Sequence, residues 1–256
     1  MPGAINILVY HPAKLIAVGL PKCGSSTLVE VFLRLSGFDP KPRKIRSMAV
    51  KSRNNSQLAR AGLEFLQAYP QDIVPTLAAN HGYRVFSVVR DPTSRIYSAY
   101  FNKLNRYTKQ HRFDLYLRGQ LKRLLSGPEG WRRVEVGNIS VHPRLSFSQF
   151  LAELERLGPD IDPHFDLQVR LLDLENVHYD QLLDLRDLAT GLPRLLADFG
   201  VSEAELSRLP EIPQANLRKA RGRFPDLAGP ENLARIERIY ADDLARLAPY
   251  LKAPSG

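Results

Sequence analysis

The sequence has one cysteine and no long apolar run, and each shortage excludes a class of protein. Cys23 is the only cysteine in 256 residues, so no disulfide forms within the chain, which is typical of a reducing compartment. No stretch approaches the roughly 18 to 20 consecutive apolar residues that span a bilayer. The first residues, MPGAINILVYHPAKLIAV, lack the leader and cleavage site of a secretory signal. We therefore expect a cytoplasmic protein or an excised catalytic domain.

Internal repeats, low-complexity tracts and metal-ligand patterns are also missing from the sequence. No paired carboxylates and no His/Cys cluster occur at the spacing of metal ligands, so we predict no metal site. Apolar residues make up 44% of the chain and charged residues 25%, as in ordinary soluble globular proteins. The length suits one α/β domain, and we expect a single domain over residues 1–256.

Acidic residues are scarce in the first half of the chain. Residues 1–133 hold 22 Lys/Arg against 7 Asp/Glu, whereas residues 134–256 hold 14 against 20. The basic clusters, KPRKIR at 41–46 and the segment 101–133, indicate an anionic ligand or substrate. A nucleic-acid-binding protein is one alternative that such charge allows, although no recognised nucleic-acid module is visible. The basic face could also contact a membrane surface peripherally.

Two short apolar segments, KLIAVG at 14–19 and YRVFSVV at 83–89, have the composition of buried strands. Each is followed by a polar turn and then by apolar residues at helical spacing. Gly37 ends the first helical pattern, and Asp91 can cap a second helix that begins at Pro92. Strand-turn-helix units of this kind predict an α/β fold with a parallel sheet flanked by helices.

The remaining segments predict a mostly helical C-terminal part. Residues 39–60 are basic and poor in apolar residues, which favours a loop, and the pattern AGLEFLQAY at 61–69 predicts a helix. Further helices are predicted at residues 146–158, 191–200 and 230–250, with one short strand at 176–182 and a Pro/Gly-rich loop at 221–230.

The loop LPKCGSSTL at 20–28 leaves the first strand and enters the first helix, so its backbone N–H groups are available to bind an anion. Gly24 allows close backbone approach, Lys22 adds a charge, and hydroxyls come from Ser25, Ser26 and Thr27. The lysine precedes the glycine, which is not the order of a P-loop NTPase. This order, and the lack of a clear acidic strand end for magnesium, disfavour the alternative of a nucleotide kinase or other phosphotransferase.

Two motifs resemble those of the sulfotransferases. PKCGSST is similar to their 5′-phosphosulfate loop, and VVRDPTSRIYSAY at 88–100 is similar to their 3′-phosphate motif, with Arg90 followed eight residues later by Ser98. DPHFDLQVRLL at 162–172 resembles a stretch of the glycan-type (family 2) sulfotransferases. The resemblance implies a P-loop-like α/β enzyme that transfers a sulfuryl group from 3′-phosphoadenosine 5′-phosphosulfate to an acceptor hydroxyl. Adenosine 3′,5′-bisphosphate is the second product, and the implied acceptor is a glycan or glycolipid.

The resemblance also implies the roles of individual residues. Lys22 would meet the charge on the oxygen that joins the sulfuryl group to the departing phosphate, without a metal. The implied contacts to the nucleotide come from Lys22, Cys23, Gly24, Ser25, Ser26, Thr27, Arg90 and Ser98. Sulfotransferases tend to close a late basic loop over the nucleotide, and residues 216–223 offer Arg218, with Lys219 and Arg221, for that role.

The acceptor hydroxyl loses a proton during transfer, so a general base is expected. His164 lies in the segment that resembles the family, and either Asp162 or Asp166 could orient its ring. The family often has proline before the glutamine of this segment, whereas Leu167 stands there in this chain. Glu64, between the two phosphate motifs, is the second candidate for the base.

Overall fold

The computed structural model describes residues 5–40, 56–101, 134–136, 139–141, 146–212 and 229–252, with the backbone alone at 134–136 and 139–141. The chain divides into two compact units, and neither is continuous in sequence. The unit called here the sheet unit takes its described residues from the chain before residue 92, from 168–212 and after 241. The helical unit takes its described residues from 92–167 and 229–241. The prediction of a single domain stays a prediction.

The sheet unit contains a five-stranded mixed sheet. Its strands are β1 (Ile5–Tyr10), β2 (Leu15–Gly19), β3 (Leu63–Ala68), β4 (Arg84–Val89) and β7 (Gln181–Asp184). They lie in the order β3-β1-β2-β4-β7. The strands β2, β4 and β7 run parallel, and β1 is antiparallel to both of its neighbours. The predicted α/β class and its parallel strand-turn-helix core are confirmed. The strand β1 was not predicted from the sequence, and its antiparallel pairing makes the sheet mixed.

Helices follow the strands and fill most of the described C-terminal part, as predicted. In chain order they are α1 (Ser25–Leu35), α2 (Ser56–Arg60), α3 (Pro70–His81), α4 (Pro92–Tyr100), α5 (Phe147–Leu157), α6 (Gln168–Leu172), α7 (Leu188–Asp198), α8 (Glu203–Leu206), α9 (Pro230–Ile239) and α10 (Ala241–Leu247). Short 3₁₀ turns occur at Pro159–Ile161, Leu185–Asp187 and Ala248–Tyr250. No helix among the described residues is both long and apolar enough to cross a membrane.

The transition from β2 to α1 follows from the apolar pattern of the sequence. All five residues of β2 are buried, and the apolar side of α1 packs into the same core through Leu28, Phe32 and Leu35. Gly37 adopts a left-handed backbone with φ 81° just after the helix, and its N–H donates to the Arg34 carbonyl. The predicted end of the helix at this glycine is therefore confirmed.

The helical unit has an aromatic core of its own. Phe147 and Phe150 of α5 pack with Phe165, and Ile96 of α4 and Ile236 of α9 belong to the same cluster. Ser146 caps α5 in a capping box with Gln149, a common role for serine at the start of a helix. In this unit β5 (Val134–Val136) and β6 (Ile139–Val141) form an antiparallel pair.

Three predicted elements differ from the structure. The helix predicted at 61–69 is wrong, because Leu63–Ala68 pairs with β1 as an edge strand. The strand predicted at 176–182 lies at Gln181–Asp184 instead. The single helix predicted at 230–250 is interrupted at Tyr240, whose backbone (φ −111°, ψ 26°) leaves the helical region.

Part of the loop predicted at 39–60 is helical, because residues 56–60 form α2. Residues 41–55, most of the basic segment 101–133 and the late basic loop with Arg218, Lys219 and Arg221 lie outside the described residues.

Candidate active site

The loop between β2 and α1 contains two residues with left-handed backbone. Lys22 has φ 69° and Gly24 has φ 80°. A left-handed conformation is strained for a residue with a Cβ, and such strain is concentrated at functional sites. A Cβ added at Gly24 would lie 3.0 Å from Leu185 Cδ1 and 3.1 Å from Leu188 Cδ2, so a side chain here would be tightly packed as well as strained by the positive φ. The loop is therefore tightly built, and Lys22 is held in a conformation that lysine rarely adopts.

The start of α1 leaves backbone donors available. The N–H groups of Thr27 and Leu28 both donate to the Gly24 carbonyl, at 2.9 and 3.0 Å. Among the hydrogen bonds of the described residues, none uses the N–H of Gly24, Ser25 or Ser26, and no side chain caps the helix. Unpaired N–H groups at the positive end of a helix dipole form a site for an anion.

Arg90 lies beside this loop, at the carboxyl edge of the parallel strands. It follows β4 directly, and its Nη1 donates to the Lys22 carbonyl oxygen at 3.2 Å. The structure therefore brings together Arg90 and Lys22, two predicted cationic ligands from motifs 68 residues apart. Cations and free N–H groups on one sheet edge are suited to a ligand that carries more than one phosphate or sulfate group.

Cys23 supports the loop from inside. Its thiol is fully buried and donates to Gln168 Oε1 at 3.2 Å, and its N–H donates to the Leu20 carbonyl at 3.3 Å. Both donors of Cys23 are thus used within the protein. The N–H groups of Gly24, Ser25 and Ser26, by contrast, have no acceptor among the described residues.

His164 and Asp162 form a hydrogen-bonded pair in the helical unit. Asp162 Oδ1 accepts from the His164 backbone N–H at 2.8 Å and lies 2.7 Å from His164 Nδ1. The carboxylate is buried, whereas about a third of the histidine side chain is exposed. A carboxylate at Nδ1 favours the tautomer with its proton there, which leaves Nε2 as an acceptor. Asp162 is therefore the aspartate that orients the His164 ring. The other candidate, Asp166, instead accepts from the Leu167 N–H at 2.7 Å.

Comparison with known families agrees with both motifs. Residues 6–247 match the sequence model of the sulfotransferase family. The chain is a sulfotransferase-family protein. The resemblance noted in the sequence, including its glycan-type character, is thus confirmed. Neither a curated protein nor a solved structure shows significant similarity to the chain.

Two residues that fix the His164 loop of this sulfotransferase were missed by the sequence analysis. Arg95 of α4 is buried, and it donates to the carbonyls of Asp166 at 2.6 Å and Pro163 at 3.1 Å. Tyr240 donates its hydroxyl to the Phe165 carbonyl at 2.6 Å. An arginine inside an otherwise apolar helical face was the available signal, since a buried charge needs specific acceptors.

Two predicted nucleotide ligands and the second candidate for the base belong to segments other than the loop between β2 and α1. Ser98 is partly buried in α4, in the helical unit, and Arg218 lies outside the described residues. Glu64 lies in β3, level with Val9 of β1 and hence with Ile16 of β2. That places Glu64 near the amino end of β2, opposite the edge from which the phosphate loop (residues 20–24) leaves the sheet. Its carboxylate pairs with His11 at 3.1 Å, so Glu64 is the weaker candidate for a base.

Proposed function

We propose that this sulfotransferase-family chain transfers the sulfuryl group of 3′-phosphoadenosine 5′-phosphosulfate to a hydroxyl on a carbohydrate or glycoconjugate. The observation that carries the proposal is the paired position of the Lys22 loop and Arg90. Their contact at 3.2 Å joins a loop with three free N–H groups to a second cationic residue on the same sheet edge.

The set of donors fits this nucleotide. Lys22, the N–H groups of Gly24, Ser25 and Ser26, and the nearby hydroxyls suit the 5′-phosphosulfate, and Arg90 with Ser98 suits the 3′-phosphate. The nucleotide supplies the sulfuryl group and is released as adenosine 3′,5′-bisphosphate. Arg218 remains a proposed ligand from the late basic loop.

Two side chains would carry the chemistry. The Lys22 ammonium would stabilise negative charge on the oxygen released when the sulfur–oxygen bond breaks. His164 Nε2 would accept the proton of the acceptor hydroxyl as its oxygen attacks sulfur, while Asp162 holds the other ring nitrogen at 2.7 Å.

The acceptor class rests on the segment DPHFDLQVRLL, which is of the glycan type. A carbohydrate or glycolipid hydroxyl is therefore the proposed acceptor. A cytoplasmic location, suggested by the single cysteine, and a peripheral contact of the basic face with membranes are further proposals.

Calorimetry with adenosine 3′,5′-bisphosphate and adenosine 5′-monophosphate tests the donor. The wild type should bind the bisphosphate more tightly, because only this ligand engages Arg90. Arg90→Ala should remove about 1.5 to 3 kcal/mol from bisphosphate binding and leave the monophosphate nearly unchanged. Equal weakening of both ligands would make Arg90 a structural residue.

Transfer of labelled sulfate to a panel of sugars, glycolipids, phenols and steroids tests the reaction and the acceptor. The expected result is product with the carbohydrate acceptors and none with ATP and magnesium in place of the sulfate donor. Tight binding of ATP with magnesium, and no binding of the bisphosphate, would favour the phosphotransferase alternative.

A further inference from the structure

Gln168 is a fully buried polar side chain that the proposed chemistry does not use. It begins α6 in the sheet unit and has no exposed surface. A buried amide without hydrogen bonds would cost several kcal/mol, so its partners show what the position requires. Its backbone N–H, its Oε1 and its Nε2 bond to the two phosphate-binding motifs or to Asp243.

The side-chain amide of Gln168 holds the Arg90 backbone from both sides. Its Oε1 accepts from the Arg90 N–H at 2.9 Å, and its Nε2 donates to the Arg90 carbonyl at 2.7 Å. Arg90 comes directly after β4, where the ladder of the sheet ends. The amide therefore satisfies the last backbone groups of this strand and fixes the point from which the Arg90 side chain extends.

The same Oε1 also accepts from the Cys23 thiol at 3.2 Å. Cys23 lies between Lys22 and Gly24, the two residues of the phosphate loop with left-handed backbone. One carbonyl oxygen thus receives a donor from each phosphate motif. This shared acceptor links the position of the loop to the position of Arg90.

Asp243 fixes which way the amide points. Its Oδ2 accepts from the Gln168 N–H at 3.0 Å and lies 3.3 Å from Nε2, while Oδ1 accepts from the Val169 N–H at 2.9 Å. The carboxylate is fully buried. Because a carboxylate accepts but does not donate, Nε2 must face Asp243 and Oε1 must face the two donors.

We propose that Gln168 is a positioning residue that sets the spacing between the phosphate loop and Arg90. The inference rests on the proposed function, because it assumes that the two motifs hold two phosphates of one nucleotide. Gln168 touches neither phosphate. It acts by holding the backbone that carries each set of ligands, so its effect depends on a ligand that engages both motifs at once.

This dependence separates positioning from general stability. Adenosine 3′,5′-bisphosphate engages both motifs, whereas adenosine 5′-monophosphate engages only the loop. Gln168→Met keeps the volume of the side chain and removes its hydrogen bonds. We expect it to reduce the preference for the bisphosphate, measured as the ratio of the two Kd values, by about 10-fold. The reason is that a ligand bound by two linked sites loses affinity when the two sites are no longer aligned.

Tyr179→Phe is the matched control. The Tyr179 hydroxyl donates to the Leu172 carbonyl at 2.8 Å, at the opposite end of α6. This variant should lower the melting temperature without changing the ratio of Kd values. A second control combines Gln168→Met with Arg90→Ala, where Gln168→Met should have no further effect on the ratio because the group it positions is absent.

The outcomes distinguish the inference from the proposed function. A wild type that shows no preference for the bisphosphate contradicts the proposed function. A wild type with the preference, and a Gln168→Met variant with the same ratio, contradicts the positioning role alone. If Gln168→Met does not fold, Cys23→Ala decides, because it removes the thiol bond from the loop to Oε1 and leaves the Gln168 amide in place. A ratio reduced about 3-fold supports the inference, and an unchanged ratio overturns it.

Discussion

Lys22 combines an unfavourable backbone with a charge at the phosphate loop. The sequence predicted the loop from its residue types, because lysine, glycine and hydroxyl residues after a buried strand are a local pattern. It did not predict the left-handed backbone of Lys22, with φ 69°, because glycine is the residue expected there. A lysine held in a backbone conformation that glycine would adopt without strain points to a role for its side chain.

Two substitutions at Lys22 separate strain from chemistry. Lys22→Gly should relieve roughly 1 kcal/mol of backbone strain, so its melting temperature should equal or exceed that of the wild type. Lys22→Ala keeps the strain. Both should lower kcat by about 10² or more, because the positive charge of Lys22 acts mainly in the transition state, where negative charge develops on the departing oxygen. Steady-state kinetics and thermal melts measure the two effects, and a raised KM with normal kcat would contradict the assigned role.

His164 is the residue for which the structure sharpens the sequence prediction most. The sequence left Asp162 and Asp166 as alternative partners, since both lie two residues away. In the structure His164 Nδ1 lies 2.7 Å from Asp162 Oδ1, and the Asp166 carboxylate accepts from the Leu167 N–H. Spacing alone cannot make this choice, because it depends on how Arg95 and Tyr240 fold the loop.

His164→Ala should lower the sulfation rate by about 10² to 10⁴, which is the usual contribution of a positioned general base. Affinity for adenosine 3′,5′-bisphosphate should be nearly unchanged, because the base acts on the acceptor. The wild-type rate should fall in acid, since only neutral imidazole accepts a proton. A pH–rate profile of both proteins, with bisphosphate binding measured in parallel, checks these effects.

The exposed His178 provides the control for that experiment. His178→Ala should behave as the wild type at every pH. A His164 variant that loses activity only because it no longer binds the nucleotide would show that His164 is not the base.

At the scale of elements, the predictions that held depend on local signals. Gly37 lies just beyond α1, Pro92 begins α4 and Ser146 caps α5, and each has a known role at a helix terminus. The segment 61–69 is rich in helix-forming residues, yet it forms β3 because β1 offers a partner for its backbone. Pairing of this kind overrides local propensity, and it cannot be predicted for 61–69 when β1 itself is not predicted.

Leu167 gives a test at the same scale. Its N–H donates to Asp166 Oδ1 at 2.7 Å just before α6, and proline, the residue often found there in the family, has no N–H. Leu167→Pro should therefore lower the free energy of unfolding by about 1 to 3 kcal/mol, the cost of leaving a buried acceptor without that donor. Urea unfolding measures this loss. Leu167→Ala keeps the N–H, and if it loses as much stability as Leu167→Pro, the loss comes from packing instead.

At the scale of the molecule, the contacts that define the site join distant parts of the sequence. Gln168 and Asp243 are 75 residues apart, and Gln168 and Arg90 are 78 apart. The strand β4 pairs with β7, which begins more than 90 residues further along the chain. Motif spacing and periodicity carry no information about such pairings, so the sequence indicates Lys22 and Arg90 but not the Gln168 side chain that bonds to both motifs.

Asp184 ties the end of the described chain to the sheet unit and should make stability depend on pH. Burial acts to raise the pKa of Asp184, but hydrogen bonds from the Arg186 side chain and backbone and from the Lys252 N–H outweigh it, so its pKa lies below the ordinary value. The unfolded chain therefore binds the proton more readily. The stabilisation is complete above about pH 4, the usual carboxyl range, and is lost as the pH falls through the lowered pKa.

Asp184→Asn tests this linkage. At pH 7 the variant should be less stable than the wild type by about 1 to 3 kcal/mol, because the bonds to Arg186 lose their charge. The difference in free energy of unfolding should shrink as the pH falls from about 4 through the lowered pKa, because Asp184 of the folded wild type then loses its charge too. Urea unfolding of both proteins across this range gives the difference. If the difference in free energy of unfolding between the wild type and Asp184→Asn stays constant in acid, Asp184 acts through its shape and not through its charge.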